Sequence, residues 1–391
     1  VLPNRLSSAL VHTSSPLPRP RIAYLITNSE IGGAQAHVAD LLRALRGQVD
    51  ATVLAGGDGP LFAAARAAGA NTVRLSLLDN TMSPLRAVST LRQIVAALRQ
   101  AAPDVIHVHS AKAGALGRLA GWWLGIPVVY TVHGFAFKPA APAVRRIASR
   151  LAEWCLAPLT SHLICVADAE RAMAASLPIA STRVSVIHNG IADTPERAAP
   201  GEPLRRIVMV ARFAAPKRPE VLIRAFARAG IDDCELVIAG DGPLRDDMRA
   251  LAHQLAPGRI HLPGNIDDIP GLLASAQLFV LVSDHEGLPL SILEAMRAGL
   301  PVVATDLPGI REQFGAESAG VLLSGNDDVS LARILGALAT GPERRIVLGQ
   351  AARGRWARAF ELGPMADATW RVYQQAIGQT ASAAPVRTGD A

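Results

Sequence analysis

Cysteine is nearly absent from this chain. Cys155, Cys165 and Cys234 are too few and too irregularly spaced for a disulfide framework or a zinc site, and read as buried free thiols in a reducing cytoplasm. No apolar run reaches the roughly 18 residues needed to cross a bilayer. Aromatic residues make up only 4%, and no basic stripe is interleaved with them, so a nucleic-acid reader is excluded. There is no Asp-x-Asp spacing of the kind that holds a divalent cation on a diphosphate. The glycine pair Gly32-Gly33 lacks the G-x-G-x-x-G spacing and the downstream acid of a dinucleotide site, which argues against a nicotinamide dehydrogenase. No internal repeat has a fixed period. Lysine is scarce as well: of 39 basic residues only Lys112, Lys138 and Lys217 are lysine. All three fall in loops expected at a cleft.

What is present suits a two-domain α/β protein. The 391 residues are enough for two cores of ordinary size, and half of them are hydrophobic. The net charge of +6 is unevenly spread. Residues 1–190 carry 18 basic and 9 acidic side chains, hence +9, and the remainder carries 21 and 24, hence −3. A basic first half suggests a membrane surface or an anionic acceptor. Residues 1–20, rich in Pro and Ser and without a signal-peptide apolar core, read as a disordered tail, as do residues 379–391.

Apolar strands and helical segments alternate from Arg21 onward, the pattern of parallel sheets wrapped by helices. Ligands in such sheets sit at the carboxyl ends of strands. There the chain places Gly32-Gly33 with Gln35, His107-Val108-His109-Ser110-Ala111-Lys112, and His133-Gly134-Phe135 leading to Lys138. His107 and His109 share a strand face, but no third metal ligand lies nearby in sequence. In the second half, Arg212 and Lys217 occupy one loop before a helix, a fork and a point charge suited to clamping a diphosphate.

The most informative stretch runs from Ser283 to Gly309. A strand-length apolar run is followed by Glu286-Gly287-Leu288-Pro289, a helical pattern over Leu290 to Ala298, and a Gly-Leu-Pro stop. Glu286 falls in the loop leaving the strand. Glu294, eight residues on, is expected about two turns into the helix, roughly 11 Å away at helical rise. Backbone N–H groups at the helix start suit a diphosphate. A nucleotide sugar fits: sugar at Glu286, phosphates over Gly287 to Leu290, ribose near Glu294.

The segment E-G-L-P-L-x-x-x-E-A-M closely resembles the E-x7-E element of retaining glycosyltransferases of family 4, which have the two-domain GT-B fold. Further elements follow the family order: Gly32-Gly33, a T-x-H-G element at His133, a hinge-like His188-Asn189-Gly190-Ile191, and Arg212 with Lys217, where Ala211 replaces the common glycine. The resemblance spans roughly residues 21–377. It implies two Rossmann-like doubly wound domains facing across a cleft. The expected boundaries are 21–190 for the acceptor domain, 191–203 for a linker, 204–363 for the nucleotide-sugar domain, and 364–378 for a helix crossing back.

It also implies donor contacts at His133 and around Gly240, Asn265 and Ile266, with the acceptor near Gln35, Ser110, Lys112, Phe135 and Lys138. Catalysis would involve His133, Arg212, Lys217 and Glu286, with no metal and no cofactor beyond the nucleotide-sugar co-substrate. The segments H-S-A-K-A-G-x-L-G-R-L-A and T-V-H-G-F-A-F look like those of bacterial enzymes building exopolysaccharide, capsule or O-antigen units. This implies a UDP-sugar donor, with GDP-mannose second, and a polyprenyl-diphosphate-linked glycan acceptor. The expected location is cytoplasmic, peripheral at the inner membrane. A nucleotide-sugar 2-epimerase and a non-catalytic nucleotide-sugar sensor remain as alternatives. A pyridoxal-phosphate phosphorylase is disfavoured, because it needs a dedicated lysine from so few.

Overall fold

A computed structural model describes residues 19–79, 84–138, 142–316 and 319–383, so the expected tail over residues 1–18 and the last eight residues lie outside the described part. The strands of the first domain are β1 (Arg21–Asn28), β2 (Asp50–Gly56), β3 (Asn71–Arg74), β4 (Val105–His109), β5 (Val128–Val132), β6 (His162–Cys165) and β7 (Val184–Val186). Its helices are α1 (Gly33–Ala44), α2 (Leu61–Ala67), α3 (Pro84–Ala101), α4 (Ala111–Leu124), α5 (Ala143–Leu156) and α6 (Asp168–Ala174). The second domain holds β8 (Arg206–Val210), β9 (Glu235–Ala239), β10 (Ile260–Gly264), β11 (Leu278–Leu281), β12 (Val302–Thr305) and β13 (Val321–Leu323). Its helices are α7 (Pro219–Ala229), α8 (Arg245–Leu255), α9 (Ile269–Ala274), α10 (Leu290–Ala298), α11 (Pro308–Phe314), α12 (Asp328–Ala339) and α13 (Pro342–Ala359), and the chain closes with α14 (Leu362–Ala383).

Every residue of β4, β5 and β11 is buried, as expected of strands covered by helices on both faces. The two sheets are parallel throughout, in the orders β3-β2-β1-β4-β5-β6-β7 and β10-β9-β8-β11-β12-β13. Each order reverses direction once. In the first sheet β1 lies between β2 and β4, with Tyr24 level with Val53 and His107. In the second, β8 lies between β9 and β11. At such a reversal the loops leaving the two neighbouring strands diverge and open a crevice at their carboxyl ends. Gly32-Gly33 and Ser110-Lys112 border the first crevice, and Arg212-Lys217 and Glu286 border the second.

Helix α14 crosses back onto the first domain. Ile191 pairs with Glu361 at the crossing, and Met365, Ala366, Val372, Tyr373 and Ala376 join the core that includes Tyr24 and Val105. The helix continues to Ala383, so the tail expected from residue 379 is helical over its first five residues. The irregular chain between β7 and β8 is anchored as well: Arg353 pairs with Asp193 at 2.7 Å. Among the described residues, no helix is long and apolar enough to cross a membrane.

One buried ion pair holds α5 to the domain. Arg118 of α4, 1% exposed, meets Glu153 at 2.8 Å and lies over the Tyr130 ring. Removing one partner leaves a buried charge uncompensated, which costs about 3–5 kcal/mol. Glu153→Ala is therefore expected to destabilise the protein by about 3 kcal/mol in denaturant unfolding. A change below about 0.5 kcal/mol would mean that Arg118 is solvated instead.

Candidate active site

The loops after β8 and β11 are sewn together at the second crevice. The amide of Asp284 donates to the Pro216 carbonyl at 2.9 Å, that of Arg218 donates to Val282 at 3.0 Å, and the Ser283 hydroxyl donates to Pro216 at 3.2 Å. This backbone stitching brings the Lys217 ammonium onto the Glu286 carboxylate, with both side chains mostly withdrawn from water. Arg212, on the same loop as Lys217, is exposed and has no ion-pair partner among the described residues. It presents an uncommitted fork of donors beside a committed lysine.

Glu286 is followed by an uncapped helix start. No side chain caps α10, so its first amides have no partner of that kind. The loop before it is fixed through its carbonyls: Leu288 accepts from the Asn189 amide group at 2.8 Å and Pro289 accepts from Gln313 at 2.9 Å. Helix α10 begins only at Leu290, which makes Glu294 its fifth residue. It therefore stands just over one turn into the helix, not two, because the strand exit consumes Glu286 to Pro289 as loop. Glu294 is half-buried, and its carboxyl is pushed up to about 7, first by burial and also by Asp40 of the first domain, with Arg297 opposing.

The loops after β9 and β10 complete this rim. Gly240 has a left-handed φ of 136°, and an added methyl would lie 2.1 Å from the Ala211 carbonyl oxygen. The β9 and β8 loops can therefore pack this closely only with glycine there. Asn265 and Ile266 follow β10 on the next strand outward. Asp268 caps α9, accepting from Gly271 at 2.8 Å, which accounts for one carboxylate of the Asp267-Asp268 pair.

The first domain reaches across to the same place. The Gly287 backbone lies against His133, so close that a methyl on Gly287 would sit 2.6 Å from the His133 carbonyl oxygen. Gly309, at the start of α11, is closer still to the Gly287 carbonyl. His133 joins a histidine cluster: its Nε2 lies 3.1 Å from His109 Nδ1, and the His37 ring stands edge-on to it at 4.9 Å. Burial pushes His37 down to about 4 and holds His107, His109 and His133 well below the ordinary histidine range. His133 is therefore a neutral imidazole at the cleft, a hydrogen-bonding group and not a charge.

The His107–His109 pair divides. His107 uses both nitrogens, with Tyr373 of α14 at 2.6 Å and Thr131 at 2.7 Å, whereas His109 is joined by His37 and His133, whose ligand nitrogens all lie within 4.8 Å of one another. The fold thus supplies the additional histidines that sequence proximity did not. The His109–His133 contact, though, is that of a hydrogen-bonded pair.

The residues expected at the acceptor side meet different fates. Gln35 is half-buried and donates to Asn28 twice, at 2.6 and 3.0 Å, bracing the Gly32-Gly33 turn, whose helix α1 is also without a side-chain cap. The Ser110 hydroxyl lies 2.6 Å from that of Thr27. Lys112 is engaged with Asp79, donating to its carbonyl at 2.7 Å. Phe135 is a correction: it is 2% exposed, packs on Phe137 at 4.6 Å and belongs to the core, so it offers no surface to an acceptor. Its loop folds inward because its amide donates to the buried Glu170. Lys138 is half-buried, lowered by burial and supported by the charges of Glu286 and Glu170, which places it beside the Lys217–Glu286 pair.

Sequence reasoning missed His285, next to Glu286. Its ring faces Gly134, and burial with Lys138 nearby pushes it down to about 4. It also missed His37, one turn into α1. Neither has a local signal: His37 meets His109 and His133 from other strand ends of its own domain, and His285 meets Gly134 of the facing domain. His188, which departs from the usual hinge residue, contacts Glu312 at 2.6 Å, while Glu312 accepts the Asp168 amide at 2.8 Å. Burial pushes Glu312 up, but these hydrogen bonds outweigh it and hold the carboxyl below its ordinary value. One carboxylate thus ties α11, the hinge and the start of α6.

Comparison with known proteins agrees with this geometry. Residues 31–194 match the family described as Glycosyltransferase Family 4, and residues 190–355 match Glycosyl transferases group 1. The chain is 31% identical over 272 residues to the UDP-Gal:alpha-D-GlcNAc-diphosphoundecaprenol alpha-1,3-galactosyltransferase of Escherichia coli, covering 64% of this chain and 70% of that one. It is 31% identical over 288 residues to the putative glycosyltransferase EpsD of Bacillus subtilis, covering 68% and 75%. The fold is shared with Anabaena HepE, solved with UDP and glucose, at a TM-score of 0.76 and 20% identity over 93% of this chain and 99% of that one. Two parallel α/β domains meeting over an anion-ready crevice are the GT-B fold. The chain belongs to glycosyltransferase family 4, and is a retaining transferase drawing on a nucleotide sugar.

Two outcomes follow from the site. Gly287→Ala forces the His133 carbonyl away, and is expected to lower kcat about 100-fold while leaving thermal unfolding nearly unchanged; wild-type kcat would show that this contact is dispensable. A carboxyl raised in the folded protein contributes stability that is full below its ordinary 4.5 and lost as pH rises through about 7. Wild type should therefore lose stability relative to Glu294→Gln between those values in parallel unfolding titrations. A difference that does not vary with pH would contradict the placement of Glu294.

Proposed function

We propose that this transferase moves a sugar from a UDP-sugar, with GDP-mannose as second choice, to a hydroxyl of a polyprenyl-diphosphate-linked glycan. The setting would be bacterial exopolysaccharide, capsule or O-antigen synthesis, at the cytoplasmic face of the inner membrane. The observation that carries the donor side is the Lys217–Glu286 pair beside the uncommitted Arg212 and the uncapped start of α10. The E. coli relative, named for a UDP-galactose donor and a diphosphoundecaprenol acceptor, supports the choice of substrates.

In this reading the diphosphate lies against Arg212, Lys217 and the amides from Gly287 to Leu290. Taking Lys217 into the phosphate site releases Glu286 to accept hydrogen bonds from sugar hydroxyls, and neutral His133 adds one from the facing domain. Glu294 accepts the ribose hydroxyls, and the loops at Gly240, Asn265 and Ile266 border the base. The Gly32-Gly33 turn flanks the phosphates, with Gln35, Ser110 and Lys138 towards the acceptor.

The anomeric C–O bond to the diphosphate breaks as the acceptor oxygen attacks from the same face. The acceptor proton passes to an oxygen of the departing diphosphate, whose charge Arg212 and Lys217 stabilise. No residue forms a covalent bond to the sugar, and no metal is required. A sugar-linked peptide containing Glu286 would overturn this scheme. Closure about the hinge near Asn189, which already holds Leu288, assembles the two halves.

The test is release of nucleotide diphosphate from UDP-glucose, UDP-galactose, UDP-N-acetylhexosamines and GDP-mannose, with and without bacterial membrane lipid extract. Extract-dependent release from one UDP-sugar is expected, reduced about 100-fold or more in Lys217→Ala. Isomerisation of the donor without extract would move the protein to the 2-epimerases. Tight donor binding without turnover under any condition would make it a sensor.

A further inference from the structure

We propose that helix α5 is the surface by which this protein lies on an anionic phospholipid bilayer. A helix on a globular domain normally turns its apolar stripe inward. Here the arrangement is reversed. Val144, Ile147, Leu151 and Trp154 recur at helical spacing and are 83%, 67%, 60% and 54% exposed. The one buried side chain of α5 is Glu153, committed to Arg118 inside the domain. Exposed apolar residues scattered singly need no explanation, but four along one stripe mark an interaction surface.

The charge on this helix selects the partner. With Glu153 withdrawn, α5 exposes no acidic side chain, while Arg145 and Arg150 are exposed beside the stripe. Aliphatic and tryptophan side chains flanked by arginine are what an interfacial helix needs, the apolar stripe entering the acyl boundary and the cations resting at anionic headgroups. Helix α4, which packs against α5, ends in Trp122 and Trp123, 66% and 68% exposed, adding the amphipathic rings favoured at headgroup depth. A protein partner would also bury apolar area. It would not call for arginines without a single exposed acid, and the first half's +9 favours an anionic sheet over a bounded epitope.

Position gives the surface a use. The charges of both Arg145, at the start of α5, and Glu286 act on Lys138, so the helix begins at the rim of the crevice. From there its 14 residues extend about 21 Å. A bilayer lying along α5 would bring a lipid-linked acceptor to that rim. The proposal deepens the membrane-side reading above and rests on it. Its test contains no donor or acceptor, so its failure is distinguishable from failure of the transferase chemistry.

The full chain would be sedimented with vesicles of phosphatidylglycerol and phosphatidylcholine, or of phosphatidylcholine alone, at low and high salt. Tryptophan emission would be recorded alongside. Binding is expected to the anionic vesicles, with a blue shift, and to weaken with salt. Ile147→Glu/Leu151→Glu and Arg145→Gln/Arg150→Gln should each weaken it at least about tenfold. Both pairs are exposed, so unchanged circular dichroism and thermal unfolding would certify the folded state. Wild-type binding by the first double variant would overturn the proposal, as would no preference for anionic vesicles. So would a dimer of the wild type, seen by sedimentation velocity, that these substitutions dissolve without any vesicle binding, since the face would then serve a second copy.

Discussion

An ammonium and a carboxylate withdrawn from water hold one another in place only if the backbone beneath them is already fixed. Lys217 and Glu286 meet that condition because their loops leave adjacent parallel strands, β8 and β11, at the one position where the second sheet reverses direction. The hydrogen bonds from Asp284 and Arg218 across to the partner loop remove the freedom that would otherwise let the pair dissolve into solvent. Everything else at the site is arranged around this pair. Arg212 stands uncommitted on one side, the α10 amides on another, and Lys138 arrives from the first domain with a pKa that burial lowers and Glu286 supports.

The first domain closes the arrangement with uncharged groups. Four histidines, kept neutral by burial, lie between the sheet and the crevice, and His133 touches the loop at Gly287. Tyr373 of α14 bonds to His107 in the same layer, so the crossing helix supports the site as well as covering the sheet. Neutral donors on one side and cations on the other suit a sugar facing the first domain and a diphosphate facing the second. Glu312 adds a separate tie, joining α11 to the hinge through His188 and to α6 through the Asp168 amide.

Much of this was legible in the residues. Strand and helix positions followed from alternating apolar runs, and Leu290 to Ala298 came out as written because proline and glycine bracket it. That Arg212, Lys217 and Glu286 fall in strand-exit loops was legible because each belongs to a short local pattern beside a helix start. What was not legible depends on the other domain or on side-chain direction. Phe135 read as an accessible ring, and only the buried Glu170 that draws its loop inward reveals otherwise. Lys112, expected near the acceptor, is instead engaged by Asp79, 33 residues away, a partner that local spacing does not reveal. Glu294 was placed two turns into the helix because all eight residues from Glu286 were counted as helical, whereas Glu286 to Pro289 is loop. His37 and His285 carry no motif, and their places emerge only when α1 meets the ends of β4 and β5 and the β11 loop meets Gly134.

In the proposed reaction Lys217 serves the diphosphate while Glu286, its partner before binding, serves the sugar. Calorimetric titration with UDP alone separates the two roles, using wild type, Lys217→Ala and Glu286→Ala. Loss of the lysine should weaken UDP at least about tenfold, as expected for a charge-assisted contact to phosphate. Loss of the glutamate should leave UDP binding equal or tighter, because it removes the carboxylate that competes for Lys217. Equal weakening by both substitutions would contradict the account, and would mean that the pair is a structural strut on which the crevice depends.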